Sequence, residues 1–256
     1  EKSSLARFST TKDHLLLTIL RDVKTEIEVW TPSRKTWTQS VNEGIPSMGQ
    51  LRITPMDSHD SNDYWLTVRD YITPNTLYMG SIGIENPPIE LKKLPEFFDA
   101  SNLVVTQHFT TSKDGTKVPY FEVARSDVNL DGENPTLLYG YGGFEVSLLP
   151  SYSASVGTAW LAKGGVYVVA NIRGGGEYGP TWHQAALKEN RHRAYEDFAA
   201  VGEDLVGRGV TKPSKLGIQG GSNGGLLMGN MYTLYPDHWG AIVCQVPLLD
   251  MKRYTK

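Results

Sequence analysis

The segment 219–225, with the sequence QGGSNGG, holds a serine between glycines in an order that suits nucleophilic catalysis. Ser222 follows an apolar run and precedes a stretch with helical character. Gly220 and Gly224 complete the pattern G-x-S-x-G, in which a nucleophilic serine projects from a sharp strand-to-helix turn. Side chains at the two glycine positions would clash, because the backbone approaches itself there. The spacing therefore predicts that Ser222 is a nucleophile.

The same turn predicts a group that could bind an oxyanion. The N–H of Asn223 would lie at a helix N-terminus, where it can donate to a developing negative charge. Two alternatives remain for this segment: a structural glycine-rich turn, or a helix N-terminus that cradles an anion.

A second glycine-rich segment, YGYGGF at 139–144, follows an apolar pair at 137–138. In an α/β-hydrolase the loop after the corresponding strand supplies the other oxyanion donor. The hydroxyl of Tyr141 could serve in place of a backbone N–H. A tight turn with a packed aromatic ring is an equal alternative for Tyr141.

Two other motifs suggest cofactors that the surrounding sequence argues against. The segment 174–179 matches G-x-G-x-x-G, but Pro180 follows it, and both the regular helix and the acidic residue of a dinucleotide site are missing at the required places. The segment 127–132 resembles the start of a calcium loop, yet Leu138 stands where the bidentate glutamate belongs. We therefore expect no cofactor and no metal. His183, which follows the first of these motifs, is expected to have a structural role.

The second part of the sequence alternates strands with helices, which predicts an α/β sheet. Two of its strands are nearly all apolar, as expected when both faces are covered. A buried structural thiol is expected for Cys244, which lies in an apolar run. Strands are predicted at 103–109, 118–124, 135–139, 166–170, 216–219 and 241–246, and helices at 195–206 and 223–235.

The first part of the sequence contains short strands and turns without helical periodicity, a pattern typical of a β-sandwich or of propeller blades. No exact repeat decides between the two. Pro87, Pro88 and the segment 91–95 are predicted to form a connector. The strands are predicted at 15–20, 25–30, 35–38, 63–68 and 76–80.

The composition argues against several classes of partner. The chain has 39% hydrophobic and 21% charged residues and a net charge of −3, so neither nucleic acid nor an anionic membrane is an expected partner. No apolar stretch approaches the roughly 20 residues of a membrane span. A single cysteine fits a reducing compartment. We expect a cytoplasmic location, with the periplasm as the alternative.

Three blocks of sequence resemble the prolyl oligopeptidase family of serine peptidases: YGYGGF at 139–144, ANIRGGGEYG at 170–179 and GGSNGGLL at 220–227. The resemblance implies a β-propeller capping an α/β-hydrolase domain. Residues 1–97 would be the C-terminal part of the propeller. Residues 98–256 would be the N-terminal part of the catalytic domain, a mostly parallel sheet with flanking helices. The family implies cleavage of short peptides after proline, without a cofactor.

The resemblance also implies roles for individual residues. Ser222 would be the nucleophile, and the N–H of Asn223 and the hydroxyl of Tyr141 would form the oxyanion hole. Phe144 would line the pocket for the proline ring, and Leu248 would also touch it. An esterase or acylaminoacyl peptidase of the same fold is an alternative. A non-catalytic binding scaffold is another, although a scaffold has no need for an exposed, strained serine.

Acyl transfer by serine needs a base, which in this fold follows in the order Ser, Asp or Glu, His. After Ser222 the chain offers Asp237, His238 and Asp250. The helix predicted after the nucleophile would place His238 about 20 Å away, at about 1.5 Å per residue. We therefore expect the triad Asp and His to come from further segments of a longer parent chain, and this chain alone to turn over little or no peptide.

Overall fold

The structure, a computed structural model, describes residues 3–40, 49–84 and 86–253. The chain divides into two compact units, Glu1–Phe97 with Leu149–Ser153, and Phe98–Leu148 with Ala154–Lys256. The assignment of residues 1–97 and 98–256 to parts of two domains stays a prediction.

The first unit contains two four-stranded sheets in which consecutive strands pair antiparallel. In β2 and β6, alternate residues such as Leu16 and Leu66 are buried, which explains the predicted strands. Such sheets are typical of propeller blades. The strands of one sheet are β1 (Ser3–Thr10), β2 (Leu15–Arg21), β3 (Lys24–Pro32) and β4 (Trp37–Ser40), and those of the other are β5 (Gln50–Pro55), β6 (Asp63–Arg69), β7 (Thr76–Ser81) and β8 (Ile89–Lys93).

The prediction of a connector at 91–95 is wrong in part. Residues Ile89–Lys93 form strand β8, which pairs with β7 at the edge of its sheet. All five residues of β8 are exposed. The strand escaped the sequence analysis because it carries charged residues and two neighbouring prolines precede it.

The second unit is built on a six-stranded mixed sheet in the order β14-β13-β11-β12-β10-β9. Strands β11 to β14 run parallel to one another, whereas β10 pairs antiparallel with β12 on one side and with β9 on the other. The predicted α/β sheet after all-β blades is confirmed. The strands are β9 (Leu103–Thr111), β10 (Lys117–Arg125), β11 (Thr136–Gly140), β12 (Val166–Ala170), β13 (Leu216–Gly221) and β14 (Ala241–Gln245).

The described residues of this unit form four α-helices: α1 (Ala154–Ala159), α2 (Pro180–Gln184), α3 (His192–Gly207) and α4 (Asn223–Leu234). The apolar core brings Phe198 of α3 together with Leu227 of α4 and Ile218 of β13. Helix α2 corrects the expectation that the first regular helix starts well after Pro180. It has only five residues, too few for a periodic pattern, and Pro180 opens it.

The expectation of a buried Cys244 is also wrong. Within the described sheet β14 is an edge strand that pairs with β13 alone, and Cys244 is exposed. Its thiol still approaches the carbonyl oxygen of Gly225 at 3.3 Å. An apolar sequence does not ensure burial where a strand has a neighbour on one side only. None of the described helices has the length and apolar character of a membrane span.

Candidate active site

Ser222 lies in the turn that joins β13 to α4. Its φ of 57° and ψ of −115° place it in a region that residues other than glycine rarely adopt. Its N–H donates to the carbonyl oxygen of Gln245 at 3.0 Å, and its own carbonyl oxygen accepts from Leu226 at 3.1 Å to open the helix. The residue is exposed, whereas Asn223 beside it is buried. This is the geometry expected of a G-x-S-x-G turn; the role of nucleophile stays a prediction.

Gly220 and Gly224 permit a close approach of three backbone segments. A methyl group on Gly220 would overlap the carbonyl oxygen of Gly224 and lie 3.0 Å from that of Gly140. A methyl group on Gly224 would lie 2.6 Å from the same Gly140 oxygen. The turn therefore meets the end of β11 through backbone alone, and a larger residue at either glycine would force the two apart.

The loop after β11 is connected to Asn223 by hydrogen bonds, directly and through Arg191. The side-chain amide of Asn223 donates to the carbonyl oxygen of Tyr141 at 2.6 Å. Arg191 donates through Nη1 to the carbonyl oxygen of Gly142 at 2.5 Å and through Nη2 to Oδ1 of Asn223 at 3.2 Å. The structure thus makes Tyr141 and Asn223 neighbours. Their service as oxyanion donors stays a prediction.

A cleft of about 450 Å³ borders this loop. Phe144 lines it with a side chain that is 62% exposed, and Asn223 contributes to the same wall. Leu248 is half-buried and is not among the described residues that line the cleft. The contact of Leu248 with substrate therefore stays a prediction, made from resemblance alone. The lining consists of Gly143, Phe144, Glu145, His183, Leu187, Arg191 and Asn223.

Residues 144–148, called the Phe144 segment below, have an unusual backbone at their start. Phe144 and Glu145 have φ values of 53° and 57°, two consecutive left-handed residues that are not glycine. The N–H of Glu145 lies 3.2 Å from both the carbonyl oxygen of Gly174 and Nδ1 of His183. Nδ1 of His183 is itself 2.7 Å from that Gly174 oxygen. His183 therefore has the expected structural contacts and also borders the cleft.

The G-x-G-x-x-G segment at 174–179 packs against this Phe144 segment. A methyl group at Gly175 would overlap the side-chain carboxylate of Glu177 and lie 2.9 Å from the carbonyl oxygen of Val146. A methyl group at Gly176 would overlap the carbonyl oxygen of Glu145. The glycines thus admit the protein's own backbone at the place where a dinucleotide site would admit a pyrophosphate.

Glu177, in the same segment, is buried and fixes the far end of the Phe144 segment. Its Oε1 accepts from the N–H of Leu148 at 3.0 Å and from the side-chain amide of Asn171 at 3.2 Å. That amide also donates to the carbonyl oxygen of Leu148 at 2.8 Å. Burial raises the pKa of Glu177 to about 7. Sequence reasoning missed this role; an acidic residue within a glycine run was the available signal.

Arg173 anchors the same segment to α3. Its guanidinium contacts Asp197 at 2.6 Å and Asp114 at 2.5 Å, and both Arg173 and Asp197 are buried. Burial disfavours the charged guanidinium, but hydrogen bonds to the two carboxylates outweigh this and raise the pKa of Arg173. The same hydrogen bonding holds the pKa of Asp114 well below its usual range. This network was not predicted either.

Two candidate residues that follow Ser222 in sequence, His238 and Asp250, pair with other residues. His238 lies just beyond α4, and its Nε2 is 3.1 Å from Glu203. Helix α4 has 12 residues and spans about 18 Å at about 1.5 Å per residue. Asp250 pairs with Arg253 at 3.5 Å. Among the described residues, neither side chain is hydrogen-bonded to Ser222.

The calcium-like segment at 127–132 joins two strands, and Asp127 pairs with Arg125 at 2.8 Å. Within the part of the chain that the structure describes, no three His, Cys, Asp or Glu side chains are grouped as metal ligands would be.

A serine at a strained turn between a parallel strand and a helix, in a sheet of this order, defines the α/β-hydrolase class of fold. Residues 151–256 match the prolyl oligopeptidase family. Over these residues the chain is similar to that family.

Known proteins extend the similarity along the whole chain. An uncharacterized peptidase of Sinorhizobium fredii is 47% identical over 100% of this chain and 35% of its own length. A post-proline cleaving enzyme from Rickettsia typhi has a solved structure that superposes with a TM-score of 0.86 at 37% identity, over 99% of this chain and 36% of that one. Prolyl oligopeptidase B from Galerina marginata, solved with a 35-residue peptide substrate, gives a TM-score of 0.84 at 28% identity, over 98% and 36% of the two chains. The chain thus spans about a third of the length of the proteins it matches.

Proposed function

We propose that the protein to which this chain belongs hydrolyses short peptides on the C-terminal side of proline, with Ser222 as the nucleophile. One observation carries the proposal: Ser222 is exposed and strained, with a φ of 57°, at the N-terminus of α4. A purely structural turn would favour glycine at such a backbone conformation. Here a hydroxyl group occupies it, in a chain that is similar to the prolyl oligopeptidase family.

In the proposed reaction, Oγ of Ser222 attacks the carbonyl carbon of the proline residue while a base takes the hydroxyl proton. The negative charge that develops on the carbonyl oxygen accepts hydrogen bonds from the N–H of Asn223 and the hydroxyl of Tyr141. The positive end of α4 stabilises the same charge. The amine then leaves with the proton, and water hydrolyses the ester on Ser222.

The substrate class is proposed from the cleft beside Asn223. Phe144 offers an exposed aromatic ring there, which suits an apolar ring such as that of proline. The name of the Rickettsia typhi enzyme, which describes cleavage after proline, supports this choice. The peptide bound to the Galerina marginata enzyme supports a peptide as the partner.

The base and its carboxylate partner are proposed to come from further segments of the parent chain, because His238 and Asp250 are engaged elsewhere. For the location we propose the cytoplasm, with the periplasm as the alternative. The single cysteine, Cys244, supports this choice, since it cannot form a disulfide within the chain.

The direct test uses the full-length protein and a Gly-Pro reporter peptide, with matched Gly-Ala and Gly-Arg reporters and a simple ester. We expect the Gly-Pro reporter to be cleaved fastest. The Ser222→Ala variant should lose at least about 10⁴-fold in kcat, as when a catalytic serine is removed. Activity that survives in Ser222→Ala would overturn the proposal. Preference for the ester or for an acylated peptide would favour the alternative hydrolase, and absence of any turnover would favour a binding scaffold.

A second test concerns the 256-residue chain by itself. We expect it to cleave little or no reporter, because no base is placed beside Ser222 in the described residues. Substantial hydrolysis by the purified chain, lost in Ser222→Ala, would show that a base lies within it.

A further inference from the structure

Arg191 connects the two backbone segments that carry the predicted oxyanion donors. Nη1 donates to the carbonyl oxygen of Gly142, next to Tyr141, at 2.5 Å, and Nη2 donates to Oδ1 of Asn223 at 3.2 Å. The guanidinium carbon lies 5.5 Å from the ring centre of Tyr195, a distance suited to a cation–π contact. The Arg191 side chain thus makes three contacts with other parts of the protein, and it also borders the cleft.

The two segments are separate in sequence, and in the described residues one further side-chain hydrogen bond joins them. The side-chain amide of Asn223 donates to the carbonyl oxygen of Tyr141 at 2.6 Å. The planar guanidinium adds a parallel link one residue further on, with two donors in a fixed geometry. Gly142 has a φ of 60°, a conformation that favours glycine, and its carbonyl oxygen accepts the hydrogen bond from Arg191. The link therefore restrains the relative positions of Tyr141 and Asn223.

The charge of Arg191 is not matched by a carboxylate partner. In the described residues, none of the ion pairs involves Arg191, although Glu145 lines the same cleft. Its neighbours Arg173 and Arg193, by contrast, both contact Asp114. A half-buried cation beside the oxyanion site favours negative charge there more than it would in open solvent.

We propose that Arg191 is a positioning residue for the oxyanion hole: it ties the Tyr141 loop to Asn223 and adds positive potential where the oxyanion forms. The inference rests on the proposed function. It assigns Arg191 no contact with the substrate. Removing the Arg191 side chain should weaken stabilisation of the transition state more than binding of the substrate, because the preorganised donors matter most when negative charge develops.

The test compares Arg191→Met and Arg191→Lys in the full-length protein, with Arg193→Met as the matched control. Arg193 lies in the first turn of α3, which Arg191 directly precedes; its Nη1 donates to the carbonyl oxygen of Ala185 at 3.2 Å, but it does not line the cleft. The readouts are kcat and KM for the Gly-Pro reporter, and the affinities for a peptide aldehyde and the corresponding peptide alcohol. The aldehyde forms an oxyanion on reaction with Ser222, and the alcohol does not.

We expect Arg191→Met to lower kcat about 10²-fold, as for loss of an oxyanion donor, with KM nearly unchanged. Aldehyde affinity should fall with kcat, whereas alcohol affinity should not. Arg191→Lys keeps the charge and should recover part of the loss, and Arg193→Met should resemble the wild type. Wild-type kcat in Arg191→Met, or an equal fall in both affinities, would overturn the proposal.

A further readout separates this inference from the proposed function. If the wild type shows no Ser222-dependent hydrolysis, the proposed function fails. The restraint by Arg191 is then judged by deuterium exchange in the segment 139–145. Arg191→Met should increase exchange there and Arg193→Met should not, and unchanged exchange in Arg191→Met would overturn the inference.

Discussion

Two glycine-rich segments follow parallel strands of the same sheet, and they differ in what approaches their glycines. In the segment 220–225, Gly220 and Gly224 admit each other's backbone and that of Gly140, and between them Ser222 is exposed. In the segment 174–179, Gly176 admits the backbone of the Phe144 segment, and Gly175 leaves room for that backbone and for the carboxylate of Glu177, which is buried.

The comparison shows that a glycine pattern predicts a close approach to the backbone. It does not predict which group, ligand or protein segment, makes that approach. The first segment presents a reactive group to the outside, and the second supports the segment that lines the cleft. The motif at 220–225 matches a nucleophile turn, and the motif at 174–179 matches a dinucleotide site. Only the structure distinguishes the segment that presents a reactive group from the segment that supports the cleft. Four substitutions test this difference between the two segments, and the first should change the protein most.

Asp197→Ala should destabilise the supporting segment most. It leaves the buried guanidinium of Arg173 without its closest buried carboxylate partner. Breaking a buried ion pair typically costs about 3–5 kcal/mol in the free energy of unfolding. The measurement is the urea-unfolding midpoint of the full-length protein, with deuterium exchange over 171–179. Glu133→Ala, which breaks an exposed pair with Lys212, serves as the control and should change little. Equal effects of the two variants would contradict the account.

Gly220→Ala should affect the nucleophile turn. Its methyl group would overlap the carbonyl oxygen of Gly224, so the turn must shift. We expect kcat for the Gly-Pro reporter to fall about 10²-fold, because a displacement of about 1 Å can cost that much. Gly207→Ala is the matched control, since nothing lies within 4 Å of a methyl group there. A Gly220→Ala variant with wild-type kcat would show that the turn is not under this restraint.

Glu177→Gln should remove a pH dependence of stability. Burial raises the pKa of Glu177 in the folded protein to about 7, above the usual value of about 4.3 for an unfolded chain. The folded state therefore binds the proton of Glu177 more tightly than the unfolded state does. The contribution of this proton to the free energy of unfolding is fully present below about pH 4 and is lost as the pH rises through about 7. We expect the wild type to lose about 1–3 kcal/mol between pH 5 and 8 through this group. Unfolding midpoints of wild type and Glu177→Gln that fall in parallel with pH would contradict it.

Gly176→Ala should have the smallest of these effects and a different kinetic signature. Its methyl group would meet the carbonyl oxygen of Glu145 and displace the segment that carries Phe144. We expect KM for the Gly-Pro reporter to rise about tenfold with kcat little changed, since the altered contact serves binding. A fall in kcat like that of Gly220→Ala would erase the distinction between the two segments.

Much of the fold could be predicted from the sequence, because strands such as β12 are apolar throughout and α3 has a regular apolar stripe around Phe198. Helix α2 was missed because five residues cannot show a period. Strand β8 was missed because an exposed edge strand carries no apolar signal. Burial at Cys244 was predicted wrongly because sequence does not tell which strand lies at an edge.

For the site, the turn at Ser222 could be predicted, because its chemistry depends on neighbouring residues. Its support could not, because the partners are remote in sequence. Arg191 contacts Gly142 and Asn223, and Glu177 contacts Leu148, through pairings that only the folded sheet creates. The roles of Tyr141, Asn223, Phe144 and Leu248 stay predictions, made from motif and resemblance.

The most direct test of the central claim is the reaction of the full-length protein with a fluorophosphonate, followed by mapping of the adduct by peptide mass spectrometry. We expect one adduct, on Ser222. A Gly-Pro peptide inhibitor should slow its formation, and its formation should abolish hydrolysis of the reporter. An active enzyme whose adduct lies on another residue, or one that hydrolyses the reporter with Ser222 unmodified after full inhibition, would contradict it.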